Sequence, residues 1–461
     1  MSPPTFPSHD GVLSQLVAAL GDLVSVDDSA LESVRADKSG HISSGRPLCV
    51  VFATTTEQVS QVMRIAFATN TPVVTRGGGS GLAGGAVGSP GEIVLSLERM
   101  KRIIEISVVN RYAVVEAGVI NDHLNEEAKK LGLWFAPDPA SRPWSTVGGN
   151  IATNAGGLLC VKYGVTREAV LDLTVVLANG EVITVGHKTV KGVTGFDLAA
   201  LFVGSEGTLG VITQATVALK TLDTSPVWTI SGWSENLDSV TRAVSDTITQ
   251  GARPAILELI DDKAATHIAR YLDRGDLPAG ATHLIAQTDG PGAQNDADQI
   301  AAIWRKGGLT VDVGENRDDL IAFRRAMHQA METAGQVLIE DVAVPRSALP
   351  DMFAAIRRIE KDFDVEIPTV AHAGDGNLHP NFIYQGDTVP DHIWEAADAL
   401  FRTAVALGGT LTGEHGVGLL KRRWLKDELG DTQWQLQWQI KQLFDPKNIL
   451  NPGKVFFPDN P

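Results

Sequence analysis

The stretch "VVTRGGGSGLAGGAVGSPGEIVLSL", residues 73–97, decides the fold. A β-branched run enters it, a second apolar run leaves it, and between them lies a passage in which glycine dominates. Glycine beside strands marks a backbone that must approach something closely, because absent Cβ atoms let successive N–H groups line an anionic concavity. Gly79, Gly81 and Gly84 satisfy the spacing GxGxxG, which in a Rossmann unit opens a helix that packs on the sheet. Here "GAVGSPGE" follows, too rich in glycine and proline to start a helix, so the Rossmann reading fails on context. A Walker loop is excluded because no Gly-Lys-Ser/Thr occurs. Two further glycine-rich passages, "VGGNIATNAGGLL" at 147–159 and "LFVGSEGTLGVIT" at 201–213, also adjoin apolar β-rich sequence. Three such loops in one region argue against flexible surface loops and for a binding cradle.

The rest of the chain fits a large globular protein of at least two domains: 461 residues, 43% hydrophobic. "GVLSQLVAALGDL" carries a helical stripe of Leu13, Leu16, Val17 and Leu20, and "TTTEQVSQVMRIAFAT" opens with Thr54 and Glu57 in capping-box spacing. From about Leu222 helical patterns such as "LDSVTRAVSDTITQG" and "LPDMFAAIRRIEKDF" alternate with strands, which places a domain boundary there. The Pro-rich opening reads as a disordered tail and lacks the order of a secretory signal; no apolar run approaches a membrane span. With 39 basic and 55 acidic residues the net charge is −16, which argues against nucleic acid and against anionic membrane surfaces as partners. Cys49 and Cys160 form neither a disulfide framework nor a thiolate metal site, so a reducing, cytoplasmic compartment is expected.

A second informative stretch is "AHAGDGNLHP", residues 371–380. Asp-Gly flanked by extended residues signals a two-residue type I′ hairpin loop. With Asp375 and Gly376 as that loop, His372 faces His379, and opposed residues have Cβ atoms about 5 Å apart. Two imidazoles so placed can grip one cation. Two hydrogen-bonded histidines beside a turn are the other reading, and the hairpin alone leaves both open.

"VVTRGGGSGLAGGA", "PDPASRPWSTVGGNIATNAGG", "KTVKGVTGFDLAALFVGSEGTLGVIT", "AHAGDGNLHPNF", "GEHGVGLLK" and "FDPKNILNPGKV", in this order, resemble the FAD-linked D-2-hydroxy acid dehydrogenases of the vanillyl-alcohol oxidase flavoprotein superfamily. That group includes D-lactate dehydrogenases, the flavin subunit of glycolate oxidase and D-2-hydroxyglutarate dehydrogenases. The resemblance runs from about Gly45 to Val455. It implies an α+β, two-domain vanillyl-alcohol oxidase type FAD-binding fold with an antiparallel-sheet cap domain. The FAD-binding domain is expected over 1–222, completed by 430–461, and the cap, with the substrate and metal sites, over 223–429. Carried over by position, Arg76, Gly77, Gly78, Gly79, Ser80 and Gly81 wrap the FAD pyrophosphate, and Pro139, Ala140 and Ser141 lie beside the flavin. Gly148, Gly149, Thr153, Gly156 and Gly157 line the same cofactor, Glu206, Gly210 and Val211 close on its adenosine and ribose side, and Asn451 returns to the flavin. Some relatives attach FAD through a histidine in the first glycine loop. Ser80 stands there, so non-covalent FAD is expected.

The resemblance also assigns His372, His379 and Glu414 to a divalent metal and His415 to the role of base. Two imidazoles and one carboxylate leave positions on Zn2+ open for substrate oxygens, and Mn2+ or Fe2+ accepts the same ligands. The expected reaction oxidises a 2-hydroxy acid: His415 takes the hydroxyl proton and hydride passes from Cα to flavin N5. Arg324, or its neighbour Arg325, matches the region of a carboxylate-binding arginine, and Asn377 either reaches the flavin or substrate or simply occupies the turn. Relatives acting on 2-hydroxyglutarate carry a lysine about where Ile339 stands; its loss favours a D-lactate-like monocarboxylate, unless His328 substitutes. The expected partners are a small 2-hydroxy acid, an electron acceptor (electron-transfer flavoprotein, quinone or cytochrome) and, in a dimer, a second copy. A non-redox metallohydrolase on the same histidines leaves the three glycine loops without a role. A non-catalytic flavin subunit leaves His415 without one.

Overall fold

The structure is a computed structural model; it describes residues 9–274, 278, 280–386 and 388–457. The Pro-rich tail therefore lies outside the described residues. The chain divides into two compact units, residues 1–156, 165–222 and 414–461 in the first and 157–164 and 223–413 in the second. The sequence reading closes the cap at residue 429; position 430 is a glycine with φ of 67° that kinks the helix Leu425–Phe444.

In the first unit, a four-stranded sheet runs Val24–Ser25, Cys49–Phe52, Ile93–Ser96, Val73–Arg76. Its last three strands are parallel. The helix Thr56–Thr69 makes the crossover into Val73–Arg76 and buries Val59, Val62, Met63 and Ala66. Its capping box is Thr55 with Gln58, one residue later than the sequence spacing indicates, because the Gln58 side chain accepts from the Thr54 and Thr55 N–H groups together. The next connection, residues 77–92, contains no helix. The glycine loop thus joins two parallel strands directly, which removes the Rossmann geometry as expected. In the helix His9–Leu20 the buried residues are Val12, Leu16 and Leu20, whereas Val17 is 48% exposed. The i, i+4, i+8 ridge, rather than the stripe through Val17, faces the core.

A five-stranded antiparallel sheet completes this unit in the order Ile103–Ser107, Tyr112–Glu116, Val211–Ala218, Val170–Val176, Val182–Gly186. Its inner face packs Val115, Leu173, Val175, Ala215 and Val217 against Phe135, Ile151 and Phe202. The second glycine passage is itself helical over Val147–Thr153, started by Thr146, whose side chain accepts from Gly149 N–H.

The second unit is built on an eight-stranded antiparallel sheet, in the order Thr310–Glu315, Trp228–Ser234, Thr282–Thr288, Ile256–Ile260, Thr369–His372, Asn377–Tyr384, Gln336–Ile339, with Val342–Ala343 also pairing Asn377–Tyr384. The helices Leu237–Thr249 and Leu349–Phe363 form where the sequence patterns indicate. The segment 157–164 belongs here: Tyr163 donates to Asp289 at 2.6 Å. No helix among the described residues is long and apolar enough to cross a membrane.

Candidate active site

The first unit presents a cradle. A Cβ at Gly77 would strike the Thr146 hydroxyl, one at Gly78 the Trp144 carbonyl, and Gly79 has φ of 65° with the Arg76 guanidinium against it. The loop can press onto residues 144–146 only because these positions are glycine. Among the described residues no hydrogen bond engages the backbone N–H groups of Gly77, Gly78, Gly79, Ser80 or Gly81. Arg76 turns its guanidinium into its own loop, donating to Ala86 O at 2.8 Å. Gly148 allows the next helix to touch Ala117, and Thr153 donates to Gly149 O at 3.1 Å. Pro139, Ala140 and Ser141 open a tight turn in which Arg142 N–H donates to Pro139 O at 2.8 Å. Gly210 packs on Val175, and the Val211 side chain is fully buried in the core, so Val211 can meet a ligand only through its backbone.

Glu206 and Asn451 close the cradle. The Glu206 carboxylate accepts from Val417 N–H at 2.7 Å and Gly418 N–H at 2.9 Å. Burial pushes that carboxyl up to about 7, against these two donors and Lys421 and Lys454. Its side chain therefore shapes the turn after His415. Asn451 donates to Gly85 O at 3.0 Å and Glu206 O at 2.7 Å, while its Oδ1 is buried with no hydrogen-bond partner among the described residues. Thr75 Oγ1, Ser145 Oγ and Asn150 Nδ2 are likewise buried and unpartnered. Buried polar atoms are nearly always hydrogen-bonded. These four, with the row of glycine N–H groups, fit a ligand carrying phosphate oxygens, ring acceptors and an N–H or O–H donor for Asn451 Oδ1. Glu414 packs on Gly156, and His415 Nε2 is 3.9 Å from Glu414 Oε1.

The second unit carries the histidine hairpin, and here the register differs from expectation. His372 pairs with Asn377 and Val370 with His379, so the loop is Ala373 to Gly376, two residues longer than a type I′ turn. Only Gly376 of that loop has positive φ, and its N–H bonds His372 O. Neighbouring strands impose this: Leu257 O takes the Gly374 N–H, and Gly376 O takes the Val344 N–H. A shift of two keeps both histidines on one face, as diagonal neighbours, with ring centroids 5.1 Å apart.

Two carboxylates that sequence reasoning missed lie beside these rings, and one of them bonds its histidine. Glu258, 1% exposed, places Oε1 2.7 Å from His372 Nδ1 and accepts from Arg324 Nε through Oε2 at 2.7 Å. Burial alone would raise its carboxyl; His372 and Arg324 outweigh it and hold it below the usual range. Asp341, fully buried, lies 3.7 Å from His379 Nδ1 and accepts from Thr412 and from Asn377, both at 2.6 Å. A lone acid inside the apolar run "AILELI" was the available signal, since a buried carboxylate requires partners. Of the two candidate arginines, Arg324 is buried and Arg325 exposed. Beyond its Nε, the Arg324 guanidinium bonds no described residue. Asn377 is tied to Asp341 and Val342 O, and Gly413 packs on its amide. Gly157 is buried in this unit, and His328 is exposed beside Glu332.

Comparison with known proteins defines the class. Residues 47–186 match the FAD binding domain family and residues 233–455 the FAD linked oxidases, C-terminal domain family. The chain is 38% identical to glycolate oxidase subunit GlcD of Bacillus subtilis over 90% of each chain, and 37% identical to D-lactate dehydrogenase of Archaeoglobus fulgidus over 88% of this chain and 90% of that one. It is 31% identical to D-2-hydroxyglutarate dehydrogenase of Stutzerimonas stutzeri, over 94% and 96%. 4-Ethylphenol oxidase from Gulosibacter chungangensis shares the fold at a TM-score of 0.77 and 18% identity, covering 99% of this chain and 98% of its own. p-Cresol methylhydroxylase does so at 0.75 and 19%, over 97% and 96%. The fold is thus that of the vanillyl-alcohol oxidase flavoproteins. The chain belongs to the FAD-linked oxidase and dehydrogenase family that these 2-hydroxy acid-oxidising relatives represent, and it is an FAD-dependent oxidoreductase.

Proposed function

We propose that the protein oxidises a D-2-hydroxy acid, a lactate-like monocarboxylate before a dicarboxylate, to the 2-oxo acid, using non-covalently held FAD and a divalent metal. The observation that carries this reading is the buried chain Arg324–Glu258–His372. A carboxylate on Nδ1 fixes the His372 tautomer and directs Nε2 outward as a lone-pair donor, the arrangement typical of metal-ligating histidines. The same carboxylate orients a guanidinium whose remaining N–H groups suit a substrate carboxylate.

On this reading His372 and His379 hold the metal with Glu414, which follows directly on Gly413 at the end of the hairpin unit. Zn2+ suits two imidazoles and a carboxylate; Mn2+ or Fe2+ accepts them too. When bound, the metal lowers the pKa of the substrate hydroxyl and FAD accepts hydride. Arg324 orients the substrate carboxylate and His415 removes the hydroxyl proton. The backbone of Gly77 to Gly81 holds the pyrophosphate, and Asn451 offers Oδ1 to the cofactor. Ser80, in place of a histidine, leaves the flavin free of a covalent link. Ile339 and the exposed, Glu332-paired His328 supply no cation for a distal carboxylate, which favours the monocarboxylate. Relatives named for glycolate and D-lactate stand beside one named for D-2-hydroxyglutarate, so the substrate order rests on these two positions. The test is anaerobic bleaching of the flavin near 450 nm across 2-hydroxy acids of both chiralities. Bleaching by D-2-hydroxyglutarate in preference to D-lactate and glycolate would reverse the substrate order, and no bleaching by any would refute the reading.

A further inference from the structure

At one end of the five-stranded sheet the first unit exposes large apolar side chains that nothing in the fold requires there. The loop 187–197, which leaves the edge strand Val182–Gly186, presents Val190, Val193 and Phe196 at 103%, 98% and 95% exposure. Tyr112 pairs with Ala218 and Asp172 with Gly186, so the turn before Tyr112, with Val109 at 91%, lies at the same end. The loop has a defined shape: Thr189 donates to Lys191 O at 2.8 Å, Gly192 sits against the His187 ring, and Lys188 Nζ stands 5.6 Å from the centre of the Tyr112 ring. Phe196 immediately precedes Asp197, the N-cap of the helix Leu198–Phe202, a position whose apolar side chain ordinarily folds back on the fourth helical residue. It does not do so here, and Leu201 is itself 37% exposed. The loop therefore turns its apolar groups outward.

Cations share this end. Lys188 and Lys191 alternate with the apolar residues, and exposed Arg111 and Lys220 flank them. Acids are present at this end as well, two of them engaged locally: Asp197 accepts from Ala200 N–H at 3.1 Å and Glu105 from the Tyr112 hydroxyl at 3.2 Å, while exposed Glu168 precedes the strand Val170–Val176. Outward apolar side chains interleaved with lysines match the two halves of an anionic lipid interface, acyl boundary and headgroup. The net charge of −16 argues against attraction of the chain as a whole to such a surface, but exposed charges more than about 8 Å away are largely screened at physiological salt, so the lysines of this end dominate at contact. We propose that this end of the sheet docks on an anionic lipid bilayer, with Val190, Val193 and Phe196 entering the acyl boundary and Lys188 and Lys191 meeting lipid phosphates.

The test uses the whole flavoprotein and vesicles of phosphatidylcholine, alone or mixed with phosphatidylglycerol. The parent should co-sediment with the mixed vesicles, weakly with the neutral ones, and less as salt rises. The V190S/V193S/F196S variant and, separately, the K188E/K191E variant should each bind mixed vesicles at least about 100-fold more weakly while keeping flavin absorbance and dye-linked turnover. The lysine variant leaves all apolar residues in place, so a folding failure of the serine variant does not decide the matter. Absence of binding to both vesicle types, or binding undiminished in K188E/K191E, overturns the proposal. So does a parent dimer that V190S/V193S/F196S converts to monomer, since the patch would then be covered by a second copy.

Discussion

Glu258 Oε1 lies 2.7 Å from His372 Nδ1 at the centre of a sheet where Glu258 is 1% and His372 6% exposed. The carboxylate takes one donor from His372 and one from Arg324, and removing its charge leaves Arg324 buried without a counter-charge. Glu258→Gln should weaken metal binding by about 10- to 100-fold and lower stability by about 3 kcal/mol, with FAD retained. Chelator competition and denaturant unfolding measure the two effects, and an unchanged metal affinity would remove Glu258 from the metal argument.

His372→Ala and His379→Ala should each lose most bound metal and most turnover while the flavin spectrum persists. Metal analysis on the purified yellow proteins decides it. Equal metal content in parent and both variants would mean that the hairpin histidines ligate nothing.

The adjacent pair in "GEHG" should separate by role. Glu414→Gln should lose metal, whereas His415→Asn should keep metal and FAD, bind substrate, and reduce flavin about 10²- to 10⁴-fold more slowly. Single-turnover reduction and metal content are read on each variant; near-parental reduction by His415→Asn defeats the assignment.

Arg324→Lys keeps a positive charge beside Glu258 but loses the planar fork that can bond Glu258 and a substrate together. The KM for the 2-hydroxy acid should rise by about 10- to 100-fold, with a smaller change in kcat. A KM within twofold of the parent would leave Arg324 as a partner of Glu258 only.

Asp261 gives a pH signature of its own. It caps the helix Asp262–Tyr271 through Ala264 N–H, and burial pushes its carboxyl up to about 7 despite Arg357. The unfolded chain releases this proton near the ordinary 3.8, so the folded state binds the extra proton between those values and loses stability as pH rises through that window. Asp261→Asn retains a capping oxygen and carries no charge. Its stability should fall less than the parent's between about pH 4 and pH 7, with an advantage of roughly 1–4 kcal/mol above that range. Parallel unfolding curves at all pH values would contradict this.

The glycine loop was legible because it is a local matter: no sequence so rich in glycine and proline nucleates a helix, whatever surrounds it. The hairpin was half legible. Its loop length is set by Leu257 and Val344 on flanking strands, which no reading of residues 371–380 can contain, yet side-chain period is two, so a two-residue slip left His372 and His379 on a common face. Glu258 comes from a strand and Asp341 from the link between two others, both well separated from the hairpin in sequence. Their partnership with the histidines exists only once sheet order is known.

The strand Val73–Arg76 takes its edge partner from the far end of the chain: Val73 N–H donates to Ile449 O and Asn451 N–H to Val73 O. During synthesis a ribosome must therefore add several hundred residues before the glycine loop's own strand is flanked on both sides. Until then, Val417 and Gly418 cannot reach Glu206, nor Asn451 Gly85. The second unit has no such dependence after Gly413, so it can mature first on the nascent chain. Cofactor capture then becomes a late, post-translational event, and a chain stalled or clipped short of Ile449 should emerge colourless however well its sheet-bearing middle has folded.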